Sequence, residues 1–75
     1  MMPKLPKLKG KQLIAALGRP AFEVIRVKGK HHRLTHTDGR CMVVPVHSGE
    51  EIGPGLLMKI LRDCEMTRDE LTAVL

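Results

Sequence analysis

Three of the chain's four histidines, His31, His32 and His36, fall between Lys28 and Arg40, interleaved with Lys28, Lys30, Arg33 and Arg40. Imidazole both takes and gives a proton near neutrality. Lys and Arg beside it hold a polyanion and stabilise negative charge as it develops. By residue type alone, the segment suits binding and cutting a phosphodiester. It suits equally an exposed hairpin whose charges are simply solvated.

Strand periodicity separates the histidines. Alternate residues share a face, so His31, Arg33 and Thr35 point one way and His32, Leu34 and His36 the other. Leu34 is the apolar member and marks the covered side. His31 is therefore the candidate catalytic group and Arg33 its phosphate partner. His32 and His36 are expected as partly buried, hydrogen-bonded packing residues. Their i, i+4 spacing would pair metal ligands on a helix, but on a strand it separates the Cα atoms by roughly 13 Å. No metal site and no cofactor is expected. His47 follows the third strand, where it could neighbour the second strand across the sheet and assist binding or proton transfer.

The elements that must position these residues are short. Lys11 to Leu17 places Leu13, Ile14 and Leu17 on one helical face, with Gly18 as its stop and Arg19-Pro20 barring continuation. Phe22 to Val27, His31 to His36 and Arg40 to Val46 read as three strands. Gly29-Lys30 and Asp38-Gly39 join them as tight turns. Pro45 suits an edge strand. Pro54 opens a helix running to about Cys64, with Leu56, Leu57, Ile60 and Leu61 as its stripe. Thr67 and Glu70 have capping-box spacing, and Met66 with Leu71 the matching staple, so a last helix starts at Arg68. The order is α-β-β-β-α with a short extra C-terminal helix. The expected class is α+β, a three-stranded antiparallel sheet covered by helices on one face.

Composition narrows the partners. The chain has 75 residues, a 43% hydrophobic share and a net charge of +5. That is one small globular domain. Residues 1–9 are a basic, proline-punctuated lead, expected to be flexible, and residues 10–75 form the domain. Residues 1–40 carry ten Lys and Arg against Glu23 and Asp38, whereas residues 41–75 carry three against six acids. Such asymmetry favours nucleic acid or an acidic protein. Lys4, Lys7, Lys9 and Lys11 read as a diffuse electrostatic patch. Phe22 is the only aromatic, so stacking platforms of the RRM or OB type are excluded. No apolar run spans a bilayer, and no apolar h-region follows the basic start, so a cytoplasmic location without membrane contact is expected. Cys41 and Cys64 form no Cys-x-x-Cys pair and are expected as reduced, partly buried thiols.

From Leu13 to Leu71 the chain resembles the HicA (YcfA-like) toxins. The resemblance rests on Gly29-Lys30-His31-His32-Arg33-Leu34, His36-Thr37-Asp38-Gly39-Arg40, Val44-Pro45-Val46-His47-Ser48-Gly49-Glu50, and Gly55 through Ile60-Leu61-Arg62. It implies a double-stranded-RNA-binding-domain-like fold. It implies an mRNA interferase of a type II toxin–antitoxin system, neutralised by a HicB-type antitoxin. The family's catalytic histidine, in a Gly-Ser-His motif, falls on His31. Lys30 stands where Ser is usual, and Thr37 where Pro is frequent in the following turn. The RNA contacts expected are Lys28, Gly29, Lys30, Arg33 and His47. Two functions follow. One is a metal-independent endoribonuclease with a single catalytic histidine. The alternative is a non-catalytic module that grips RNA or an acidic protein by shape and charge.

Overall fold

A computed structural model describes residues 7–75. Its order is α1 Gly10–Gly18, β1 Glu23–Lys28, β2 His31–Thr35, β3 Cys41–Pro45, α2 Pro54–Cys64 and α3 Arg68–Ala73. The strands form an antiparallel meander in the order β1-β2-β3. This is the α+β, double-stranded-RNA-binding-domain-like arrangement expected, with Pro45 on an edge strand.

Helical periodicity determines what is buried. α1 turns Leu13, Ala16 and Leu17 inward, and α2 turns Leu57, Ile60, Leu61 and Cys64. These meet Leu34, Met42 and Val44 from the sheet, with Phe22 and Leu71 completing the cluster. Two expected stripe members fall outside it. Ile14 is only partly buried and Leu56 is exposed, because each sits about 100° around its helix from the neighbour that faces the core. Thr67 caps α3 reciprocally with Glu70: the Thr67 N–H donates to Oε1 at 3.0 Å and the Glu70 N–H to Oγ1 at 3.1 Å. Met66 and Leu71 pack together with the core, as the staple requires.

The helix stops at Gly18 as expected, but not through a left-handed glycine. Gly18 is the last residue of α1, and Ala21 holds the left-handed conformation instead, with φ 76°. The Phe22 N–H donates to the Leu17 carbonyl at 3.1 Å, which aims Phe22 back into the core.

The basic lead divides. Residues 1–6 lie outside the described residues. Leu8, expected in a flexible segment, is buried in the core, and its carbonyl accepts from the Ile52 N–H at 2.6 Å. Lys9 forms a bridge with Glu51. An apolar side chain next to an open helix end has a place to go, and composition alone hides this.

β1 departs most from its expected form. All six of its residues are exposed, because α1 and α2 pack on β3 and leave the far edge of the sheet bare. The thiols differ as well: Cys41 is exposed, whereas Cys64 is buried and its pKa pushed up to about 11, chiefly because burial strips water from the thiolate.

Candidate functional site

The ladder register sorts the side chains. Partners opposite one another in an antiparallel pair share a face. Lys28, His31 and Pro45 form one row, Arg26, Arg33 and Val43 the next, and Glu23, Thr35 and Cys41 the third. These rows make the uncovered face. Val27, His32 and Val44, then Val24, Leu34 and Met42, make the helix-facing rows. His31 and Arg33 are exposed while Leu34 is fully buried, so the alternation read from Leu34 holds.

Arg26 is a residue that sequence reasoning did not single out. A bulge between Val24 and Arg26 shifts the register of β1 by one residue. Arg26 stands opposite Arg33 by plain alternation from the Lys28–His31 pair, whereas beyond the bulge Val24 falls on the opposite face. Exposed Arg26, Lys28 and Arg33 thus surround His31, with Glu23 the only acid on these rows. The signal was available in the sequence: a two-residue Gly29-Lys30 turn pairs Lys28 with His31, and alternation from there places Arg26 with Arg33.

The β1–β2 turn holds the uncovered end of this face. Gly29 has φ 58°, a conformation that costs an L side chain about 1–2 kcal/mol. Lys28 and Lys30 flank it, both exposed. Among the described residues, none of the side-chain hydrogen bonds or ion pairs uses His31, Arg33, Lys28 or Lys30. The imidazole and its cations are therefore available to a ligand without first breaking an internal contact.

The other histidines are placed differently. The His36 Nδ1 accepts the Asp38 N–H at 3.1 Å. A nitrogen that accepts an N–H carries a lone pair, so that contact describes the neutral ring, and the equally short approach to Asp38 Oδ1 is not an ion pair in that state. The His36 ring also meets Phe22 edge-on, with centroids 5.2 Å apart. His36 is thus the hydrogen-bonded packing residue expected. His32 is half-buried as expected, but its Nδ1 is buried with no hydrogen-bond partner among the described residues, so the bonding expected of it is incomplete.

His47 does not stand across the sheet from His31. Pro45 holds that position. His47 instead lines a cavity at the end of the sheet with Lys30. Among the described residues, no group of three or more His, Cys, Asp or Glu is arranged to hold a metal ion. No helix of the described residues is long and apolar enough to cross a membrane.

A family model described as the HicA toxin of bacterial toxin–antitoxin systems matches residues 10–66, which include every strand, α1, α2 and the whole uncovered face. A comparison with curated proteins finds no match.

Proposed function

The chain belongs to the HicA toxin family of bacterial toxin–antitoxin systems, and from that premise we propose that it is an endoribonuclease that cuts mRNA at His31. The observation that carries this reading is the position of His31: exposed on β2, in the same row as Lys28 and beside the Arg26–Arg33 row.

The chemistry is transesterification. The ribose 2′-hydroxyl loses its proton and its oxygen attacks the adjacent phosphorus. The bond from phosphorus to the 5′-oxygen breaks, that oxygen takes a proton, and a 2′,3′-cyclic phosphate and a 5′-hydroxyl remain. His31 takes the first proton or supplies the second. Lys28, Lys30 and Arg33 neutralise the phosphate as charge builds, with Gly29 letting the strand approach the turn closely. Positioning and charge stabilisation of this kind carry most of a slow reaction of this type. His47 contributes to binding through the cavity it shares with Lys30. The reaction needs no metal.

An antitoxin of the HicB type silences the protein by covering the His31 row. The basic face attracts an acidic surface and speeds association. In such a complex Lys30, His31 and Arg33 become protected from hydrogen exchange or solvent, and RNA competes with the antitoxin.

Incubating the purified protein with RNA in the presence of EDTA, beside DNA of the same sequence, tests the reading. Cleavage of RNA alone, undiminished by EDTA and ending in a cyclic phosphate, is the expected result. RNA that is bound but never cut would instead favour a non-catalytic binding module.

A further inference from the structure

The cavity that takes His47 also brings together cations that the sequence scatters. It measures about 540 Å³ and lies where the start of α1, the β1–β2 turn and the loop after β3 meet. Lys9, Lys11 and Lys30 line it, with His47 and Ser48. No acid lines it, and the first turn of α1 carries none. Two contacts hold its walls together. A Cβ at Gly10 would collide with the Pro45 carbonyl oxygen, so α1 begins hard against the end of β3. The Val46 N–H donates to the Lys30 carbonyl at 2.6 Å, which ties the turn to the loop.

Three ammonium groups, an imidazole and a hydroxyl around an opening without acids describe an anion site. The volume admits a phosphate together with its ribose. A base gains nothing there from stacking, because the chain's only aromatic, Phe22, is buried in the core. Lys30 sits between His31, on the uncovered face, and the cavity. A strand whose scissile phosphate lies at His31 can therefore follow the cations over the β1–β2 turn and into the cavity without leaving positive surface.

We propose that this cavity is a second phosphate subsite of the substrate RNA, with Lys9, Lys11 and Ser48 as binding residues beyond those at His31. The proposal rests on the ribonuclease reading. Lys9 and Lys11 are then a fixed site rather than a diffuse patch, and they choose where the strand goes after the cut position.

A non-cleavable 2′-O-methyl oligoribonucleotide of mixed sequence is the probe, with binding followed by fluorescence anisotropy from low to high KCl. The variants are Lys9→Gln/Lys11→Gln and, on α3 away from the cavity, Arg68→Gln. Lys9 and Lys11 are exposed and Arg68 is half-buried, and circular dichroism verifies the fold of each variant. The double variant is expected to bind roughly tenfold more weakly at low salt, with its log–log salt slope reduced by about 1, while Arg68→Gln changes neither. In the unsubstituted protein, inorganic phosphate should shift the amide resonances of Lys11, Ser48 and Gly49 before that of Arg68. An unchanged affinity and slope in the double variant, while the unsubstituted protein still binds and cuts RNA, overturns the subsite and leaves the ribonuclease reading standing. Phosphate shifts without any change in RNA affinity do the same, by assigning the cavity to a free anion. Equal losses from Arg68→Gln overturn the subsite in favour of diffuse attraction. Absence of RNA binding by the unsubstituted protein overturns both.

Discussion

The two turns that bracket β2 are built from similar residues and do opposite things. Each has a glycine with positive φ, 58° at Gly29 and 98° at Gly39, and each has histidine and cations beside it. At the β2–β3 turn every one of those groups is engaged. The His36 N–H donates to the Arg40 carbonyl at 2.8 Å, and the Gly39 N–H to the His36 carbonyl at 3.0 Å. The Arg40 guanidinium reaches Asp38 at 2.7 Å, donates to the Cys64 carbonyl at 2.6 Å and stands 5.0 Å from the centre of the Phe22 ring. That turn fastens the sheet to the end of α2. At the β1–β2 turn the side chains of Lys28, Lys30, His31 and Arg33 take part in no such bonds among the described residues. Histidine and arginine in a basic hairpin are therefore not evidence of chemistry by themselves. The difference lies in whether the rest of the molecule has already used them.

Replacing His31 by Ala breaks the comparison if the two turns are in fact alike. Cleavage is expected to fall by about 10²–10⁴-fold, the usual contribution of a positioned acid or base, with circular dichroism and melting temperature unchanged. A folded His31→Ala protein that still arrests growth on overexpression would refute the catalytic assignment.

The converse substitution lies at the other turn. Arg40→Ala removes a charged hydrogen bond to a backbone carbonyl at the buried Cys64, and should lower unfolding free energy by about 2 kcal/mol in urea titration. Cleavage per folded molecule should hardly change. A large loss of activity with no loss of stability would move the functional centre to Arg40.

A smaller effect is expected at Arg33. Arg33→Gln should weaken RNA binding several-fold at low ionic strength, and the deficit should shrink as salt rises, because phosphate contacts release counterions. Binding insensitive to salt would contradict a cationic face. Melting temperature should stay constant, in contrast to Arg40→Ala.

The smallest effect is electrostatic. The Asp38 carboxyl pKa lies below its ordinary value of 3.8, held there first by the Arg40 N–H; desolvation opposes this, and the Arg40 guanidinium and His36 add to the lowering. A lowered folded pKa means the stabilisation is complete above the unfolded value and fades as pH falls through the folded one. The melting-temperature gap between the natural protein and Asp38→Asn should accordingly be widest near neutrality and close in acid. A gap that widens in acid would show that Asp38 is not held ionised by Arg40.

Much of this was legible in the chain. The element order followed from helical and strand periodicity, the capping box of α3 from Thr67 and Glu70, and the outward direction of His31 and Arg33 from their falling on the opposite alternation to Leu34. The family was legible in the motifs around Gly29, Asp38 and Pro45. These are local properties, written in residue type and spacing, and they need no knowledge of what packs where.

What only the tertiary structure decided depends on contacts between distant segments. Leu8 is core rather than lead because Ile52 comes to meet it. β1 is bare because both packed helices lie over β3. Val24 turns away from the Arg26–Arg33 side because of a bulge that no glycine or proline announces. Arg40 is structural because the carbonyl of Cys64 and the ring of Phe22 arrive beside it. Lys30 lies far along the chain from Lys9 and Lys11, and only the packing of Gly10 against Pro45 gathers the three around one cavity. Periodicity tells a side chain which way to face. Whether something waits there to engage it is a property of the folded whole.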